Sequence, residues 1–72
     1  MKEYCRGAVM LSEGEVYKLE FVYIDDEFYA WCSCNKCSKR GQVCKHIKQM
    51  ISEREDLKPY YEAAGEIKIG RP

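Results

Sequence analysis

Four of the five cysteines and the single histidine lie in a short stretch that runs from Cys32 to His46. Cys32 and Cys34 have the spacing C-x-C, and Cys44 and His46 have the spacing C-x-H. Three thiolate sulfurs and one imidazole nitrogen are a standard tetrahedral ligand set for zinc. The residue types and spacing therefore predict one zinc ion per chain, held by Cys32, Cys34, Cys44 and His46.

Cys37 offers a second choice of ligands. It forms a C-x-x-C spacing with Cys34, which is also common at zinc sites, so the rival set is Cys34, Cys37, Cys44 and His46. Cys5 is distant in sequence, and we expect it to be a free thiol that behaves as a small apolar residue. An odd number of cysteines also argues against a closed disulfide framework.

The first ligand pair needs a strand end to support it. Residues 15–24 alternate in polarity and are rich in β-branched and aromatic residues, which predicts a strand. Residues 25–27 predict a turn, and 28–34 predict a second strand that pairs back as a hairpin. An earlier strand at 8–11 and a turn at 12–15 extend this to a three-stranded antiparallel meander. Side chains two apart on a strand share a face, so the C-x-C pair can grip an ion from one side.

The second ligand pair needs a helix start. After a predicted loop at 35–42, the apolar residues fall on one helical face: Ile47, Met50, Ile51 and Leu57. Pro59 predicts the end of this helix. Residues two apart on a helix point in nearly opposite directions. We therefore expect Cys44 to precede or begin the helix and His46 to lie in its first turn.

The predicted fold is α+β, a small zinc-stapled antiparallel β-meander or hairpin packed on one α-helix. Its ββα-like core spans residues 16–52, and the chain 1–72 is expected to be a single domain. Residues 60–65 predict a short helical turn, and 66–69 predict a weak strand at the sheet edge. A chain this short buries only about 60% of its unfolded surface, so a metal would supply stability that the core lacks.

Charge is distributed unevenly although the net charge is zero. Residues 1–27 carry seven acids and three bases, 28–52 carry five bases and no acid, and 53–72 carry five acids and four bases. The central excess predicts a small phosphate-contact surface. A solvated surface, or compensation of the charge on a zinc thiolate site, explains the same pattern. The candidate nucleic-acid-binding residues are Lys36, Lys39, Arg40, Lys45 and Lys48.

The cysteine and histidine pattern resembles the SWIM-type zinc finger. The matching residues are "CSC" at 32–34 and "CKH" at 44–46, separated by nine residues. An aromatic-rich hairpin before the motif and an Ile-led helix after it extend the resemblance over residues 16–52. The resemblance implies a ββα zinc module that binds DNA or other proteins. Members of this family are usually segments of transposases, helicase-related ATPases, ligase-type proteins or recombination accessory factors.

These observations predict a zinc-binding module that binds DNA weakly and without sequence preference, through the phosphate backbone. The alternative is a protein-interaction adaptor, for example a recombination or replication accessory protein. An enzyme is not expected, because four protein ligands leave zinc no open coordination position. With no signal peptide and no apolar run of about 20 residues, we expect an intracellular, cytoplasmic protein that does not enter membranes. The sequence leaves the oligomeric state open.

Overall fold

A computed structural model describes residues 2–70, which form a four-stranded sheet with the strand order β1-β2-β3-β4. The first three strands form the antiparallel meander that the sequence predicts, whereas β4 pairs in parallel with β3. The α+β class is confirmed. Residues 1, 71 and 72, which the single-domain prediction includes, lie outside the described residues. The strands are β1 (Tyr4–Ser12), β2 (Glu15–Ile24), β3 (Glu27–Cys32) and β4 (Ile67–Ile69).

Two tight turns connect the first three strands. Glu13 and Gly14 join β1 to β2, and Asp25 and Asp26 join β2 to β3. All four residues have positive φ, between 52° and 79°. Positive φ at both central positions is typical of the type I′ turn, whose twist matches the twist of paired strands. The turns therefore fix the register of the sheet that carries the first ligand pair.

Residues 2–70 form three helical segments: α1 (Asn35–Ser38), α2 (Lys45–Glu53) and α3 (Lys58–Ala64). The predicted helical turn at 60–65 overlaps α3, which Gly65 ends with left-handed backbone angles. The segment α1 lies inside the predicted loop at 35–42. The prediction that Pro59 ends the helix that starts near Cys44 was wrong, because α2 ends at Glu53 and Arg54 is extended. Pro59 instead lies in the first turn of α3, where its missing N–H group removes no helical hydrogen bond. None of these helices is long and apolar enough to cross a bilayer.

The two faces of the sheet differ. The helices cover one face, where the buried strand side chains include Leu19, Phe21, Tyr23, Phe28 and Ala30. Ile47 of α2 and Leu57, which precedes α3, are fully buried against this core. The other face is open, and Val9, Leu11 and Val16 expose 62–74% of their surface there.

Candidate metal centre

The four predicted ligands form one cluster. One donor atom from each of Cys32, Cys34, Cys44 and His46 lies within 4.8 Å of the other three. The Sγ atom of Cys32 is 3.8 Å from Nδ1 of His46. Zinc–sulfur bonds of about 2.3 Å place the sulfurs of a tetrahedral site about 3.8 Å apart. The donors are therefore close enough to share a single metal ion.

Strand and helix ends position these donors. Cys32 is the last residue of β3, and Cys34 is the N-cap of α1 two residues later. Cys44 is the N-cap of α2 with extended backbone angles (φ −96°, ψ 168°), and His46 lies in the first turn. This is the arrangement that the C-x-H spacing requires on a helix. A metal ion shared by these residues would connect the sheet to α1 and α2.

The cluster is buried, and the thiol pKa values of Cys32 and Cys34 shift in opposite directions. Its residues expose 0–8% of their surface, with Cys34 at the upper end. Burial raises the pKa of Cys32 to about 12. Burial also raises the pKa of Cys34, but the backbone N–H group of Cys37 and neighbouring groups outweigh it and bring this pKa below its ordinary value. Several thiolates in such a site repel one another, so a bound cation would stabilise the charged donors.

Cys37 occupies a different position from the four clustered donors. Its sulfur accepts a hydrogen bond from the backbone N–H group of Cys32, at 3.2 Å. It is 2% exposed, and burial raises the pKa of its thiol. The cluster of four donors does not include Cys37. This geometry favours the first ligand set over the rival set, with Cys37 supporting the backbone of a ligand.

Tyr17 completes the surroundings of the histidine, and the sequence analysis missed it. Its ring stacks on the His46 ring, with centroids 4.2 Å apart and an angle of 29° between the planes. The Tyr17 hydroxyl donates a hydrogen bond to Glu15, at 2.9 Å. The stacked ring limits the orientations available to the imidazole, which is a common role for residues around a metal ligand. The alternation that places Leu19 in the core also places Tyr17 on the helix-covered face.

Ser33, between the two strand-end cysteines, holds the chain against β2. Its backbone N–H group donates to the carbonyl oxygen of Lys18 at 2.9 Å. In return, its hydroxyl oxygen accepts a hydrogen bond from the Lys18 N–H group at 3.0 Å. The pairing of β2 with β3 thus continues one residue beyond Cys32. These two hydrogen bonds hold the C-x-C segment against β2.

The five candidate phosphate-binding residues are all exposed, but they differ in their partners. Lys45 forms an ion pair with Glu13, in the turn between β1 and β2. The hydrogen bond that the Lys45 ammonium donates to Glu13 raises the pKa of Lys45. The other four have no salt-bridge partner among residues 2–70. Those four are Lys36, Lys39, Arg40 and Lys48.

The chain has no significant match among protein-family models, curated proteins or solved structures. Fold and site together define a small α+β protein with a Cys3His cluster suited to a single metal ion. The resemblance to SWIM-type zinc fingers rests on the motif and its placement at a strand end and a helix start. No family match supports it.

Proposed function

We propose that the chain is a zinc-binding module of SWIM-like type, in which Cys32, Cys34, Cys44 and His46 hold one zinc ion. The observation that carries this proposal is the convergence of four buried donor atoms within 4.8 Å. A set of thiolates and imidazole is suited to zinc, whereas magnesium and calcium prefer oxygen ligands. Bound zinc would cross-link the end of β3 to the start of α2.

The zinc would be structural. A nine-residue helix such as α2 is marginal in isolation. Structural zinc binding supplies about 10–16 kcal/mol in small domains. The total free energy of unfolding of a typical protein is about 5–15 kcal/mol, so the two quantities are comparable. Four protein donors fill the tetrahedral coordination and leave no open position for substrate. The proposal is therefore a binding module without catalytic activity.

Metal content and the effect of its removal test this part of the proposal. Protein purified without added metal should contain close to one equivalent of zinc by elemental analysis. Chelation should abolish the near-ultraviolet circular dichroism of Trp31, which directly precedes the first ligand. Apo protein that melts cooperatively at the temperature of the zinc-loaded form would show that the metal is peripheral to the fold.

The partner that we propose is nucleic acid, most simply the phosphate backbone of DNA. Four cations without salt-bridge partners in residues 2–70 surround α1 and the start of α2: Lys36, Lys39, Arg40 and Lys48. Lys45 would have to leave Glu13 before it contacts a phosphate. Both partners are exposed, so this exchange costs little. One short helix start offers few side chains for reading base edges, which favours binding without sequence specificity.

Salt dependence tests this contact. Four phosphate contacts on a duplex predict a slope of about −3.6 for log K against log salt, since each contributes about −0.9. Changing Lys39 and Arg40 together to alanine should flatten the slope by about 1.8 and weaken binding equally on different sequences. The control is Lys18→Ala, which removes one exposed charge on the open face of the sheet. DNA affinity unaffected by the double change would refute the phosphate contact.

A protein-interaction adaptor is the second candidate, and one observation favours it. Val9, Leu11 and Val16 form an exposed apolar group at the end of the β1–β2 hairpin. Contiguous exposed apolar surface often marks a protein contact. An apolar contact should vary little with salt, unlike a phosphate contact. Leu11→Lys should therefore abolish binding to a protein partner and leave DNA binding intact.

A further inference from the structure

A cleft of about 380 Å³ opens between α2, α3 and β4, on the helical side of the sheet. Ile51 and Ile67 contribute apolar walls, and Tyr61 contributes an aromatic ring that is 36% exposed. The Tyr61 ring also contacts Phe28 of the core, with centroids 6.3 Å apart. Pockets for small molecules have volumes of about 300–1,000 Å³, so this cleft has room for a single ring system.

The cleft and the proposed phosphate-contact surface share a lysine. Lys48 belongs to both, because it is one of the four cations without a salt-bridge partner in residues 2–70 and also lines the cleft. Lys58, at the start of α3, adds a second cation to the lining. Proteins that bind single-stranded nucleic acid combine aromatic side chains, on which bases stack, with basic residues along the phosphate backbone. The cleft has the same combination of an aromatic ring and flanking cations. A neutral apolar peptide would leave both lysines without partners.

We propose that this cleft binds one base of a single-stranded nucleic acid, with the base against Tyr61 and the adjoining phosphates at Lys48 and Lys58. The inference rests on the proposed function and adds a preference for single strands. Bases in a duplex are stacked and paired, so they cannot enter the cleft. Phosphate contacts alone do not favour single strands, because counterion release per contact is smaller for them than for a duplex.

Glu62 gives the cleft a chemical preference among bases. It is the one acidic side chain in the lining of the cleft within the described part of the chain, and a carboxylate can only accept hydrogen bonds. Cytosine presents an exocyclic amino group that donates to a carboxylate, whereas thymine presents a carbonyl oxygen there. The cleft should therefore bind cytosine more tightly than thymine.

Fluorescence anisotropy with labelled oligonucleotides at low salt tests the proposal on the zinc-loaded full chain. A mixed-sequence single strand should bind several-fold more tightly than its duplex. Losing an aromatic ring that stacks on a base weakens single-strand binding by about fivefold to 100-fold. Tyr61→Leu should cause a loss in this range and leave duplex binding unchanged, whereas Tyr61→Phe should retain single-strand binding. Thermal melts establish that each variant is folded.

Lys58 and Glu62 line the cleft and are exposed, so substitutions at these two positions test the cleft without disturbing the fold. Lys58→Ala should weaken single-strand binding and spare duplex binding, in contrast to Lys18→Ala, which should affect neither. Oligo-dC should bind more tightly than oligo-dT, and Glu62→Gln should remove that difference. Equal affinity for single strand and duplex, or single-strand binding unaffected by Tyr61→Leu and Lys58→Ala, overturns the inference and leaves the phosphate contact standing. Failure to bind either form refutes the proposed function itself.

Discussion

Replacing Cys32 or Cys37 by serine separates the two ligand sets, because these neighbouring buried cysteines have different surroundings. The Cys32 sulfur belongs to the four-donor cluster. The Cys37 sulfur accepts a hydrogen bond from the backbone N–H group of Cys32. Cys32→Ser should therefore remove a metal donor. Cys37→Ser should replace one hydrogen-bond acceptor with another.

The expected magnitudes differ by more than tenfold. Sharing about 10–16 kcal/mol of zinc binding evenly among four ligands gives about 3 kcal/mol for each. Loss of the Cys32 sulfur should therefore weaken zinc binding about 100-fold or more, at 1.4 kcal/mol for each factor of ten. Cys37→Ser retains a hydroxyl acceptor near the Cys32 N–H group, so its effect on zinc affinity should stay below about tenfold. Cys37→Ala would leave that buried N–H group unpaired, at a cost to stability of about 1–3 kcal/mol.

Competition with a chromophoric chelator measures these affinities. Cys5→Ser is the matched control, because Cys5 is an exposed free thiol outside the cluster and its loss should not change zinc affinity. The expected order of affinity is wild type and Cys5→Ser, then Cys37→Ser, then Cys32→Ser. A variant series in which Cys37→Ser loses more affinity than Cys32→Ser would refute the main ligand set and select Cys34, Cys37, Cys44 and His46.

Three further predictions concern the surroundings of the site, the core and pH. Tyr17→Leu should weaken zinc binding by about tenfold in the same competition assay, whereas Tyr17→Phe, which keeps the stacked ring, should not. In urea denaturation, Ile47→Ala should lower the free energy of unfolding by about 2–4 kcal/mol, whereas Leu11→Ala, at an exposed site, should stay within about 0.5 kcal/mol. Hydrogen bonds from Arg54 hold the pKa of Asp56 below its ordinary value of 3.8, so Asp56 contributes stability above that pH and loses it as the pH falls through the lowered pKa. The stability difference between wild type and Asp56→Asn should therefore be the same at pH 7 and pH 5 in urea denaturation; a difference that shrinks over this range would contradict the assignment.

Short-range patterns predicted the central part of the fold. The alternation in β2 and the change of period at Cys44 are strong local signals. The strand has the predicted bounds and α2 begins where expected, although it ends earlier, at Glu53. Residues at the start of β1 carry no comparable signal. Tyr4 at this end of β1 donates a hydrogen bond to Asp56 at 2.8 Å and stacks on Tyr60 with centroids 4.5 Å apart. Contacts between residues so far apart in sequence are invisible to periodicity.

The candidate site shows the same division. The spacing predicted the four donors that the structure brings together as the main ligand set, but it left Cys37 as an alternative ligand. The stacking of Tyr17 on His46 and the ion pair of Lys45 with Glu13 depend on how the hairpin lies against α2. That placement follows from tertiary packing, which a linear pattern does not encode. Lys45 is an example. The sequence predicted that it contacts phosphate, because the distant Glu13 could not be recognised as its ion-pair partner.

The parallel pairing of β4 with β3 has a consequence for the order of folding. The chain that leaves Cys32 must pass through every remaining ligand, α2 and α3 before Ile67 can pair with Phe28. The β1–β2–β3 hairpins close over a few residues, so they can form early, whereas β4 must wait for a long loop to close. A zinc cross-link between Cys32 and His46 shortens that loop, but the entropy saved is only about 0.5 kcal/mol because closure cost grows slowly with length. The last strand to dock should also be the first to open, so the amides that pair β4 with β3 should exchange with deuterium sooner than those between β2 and β3.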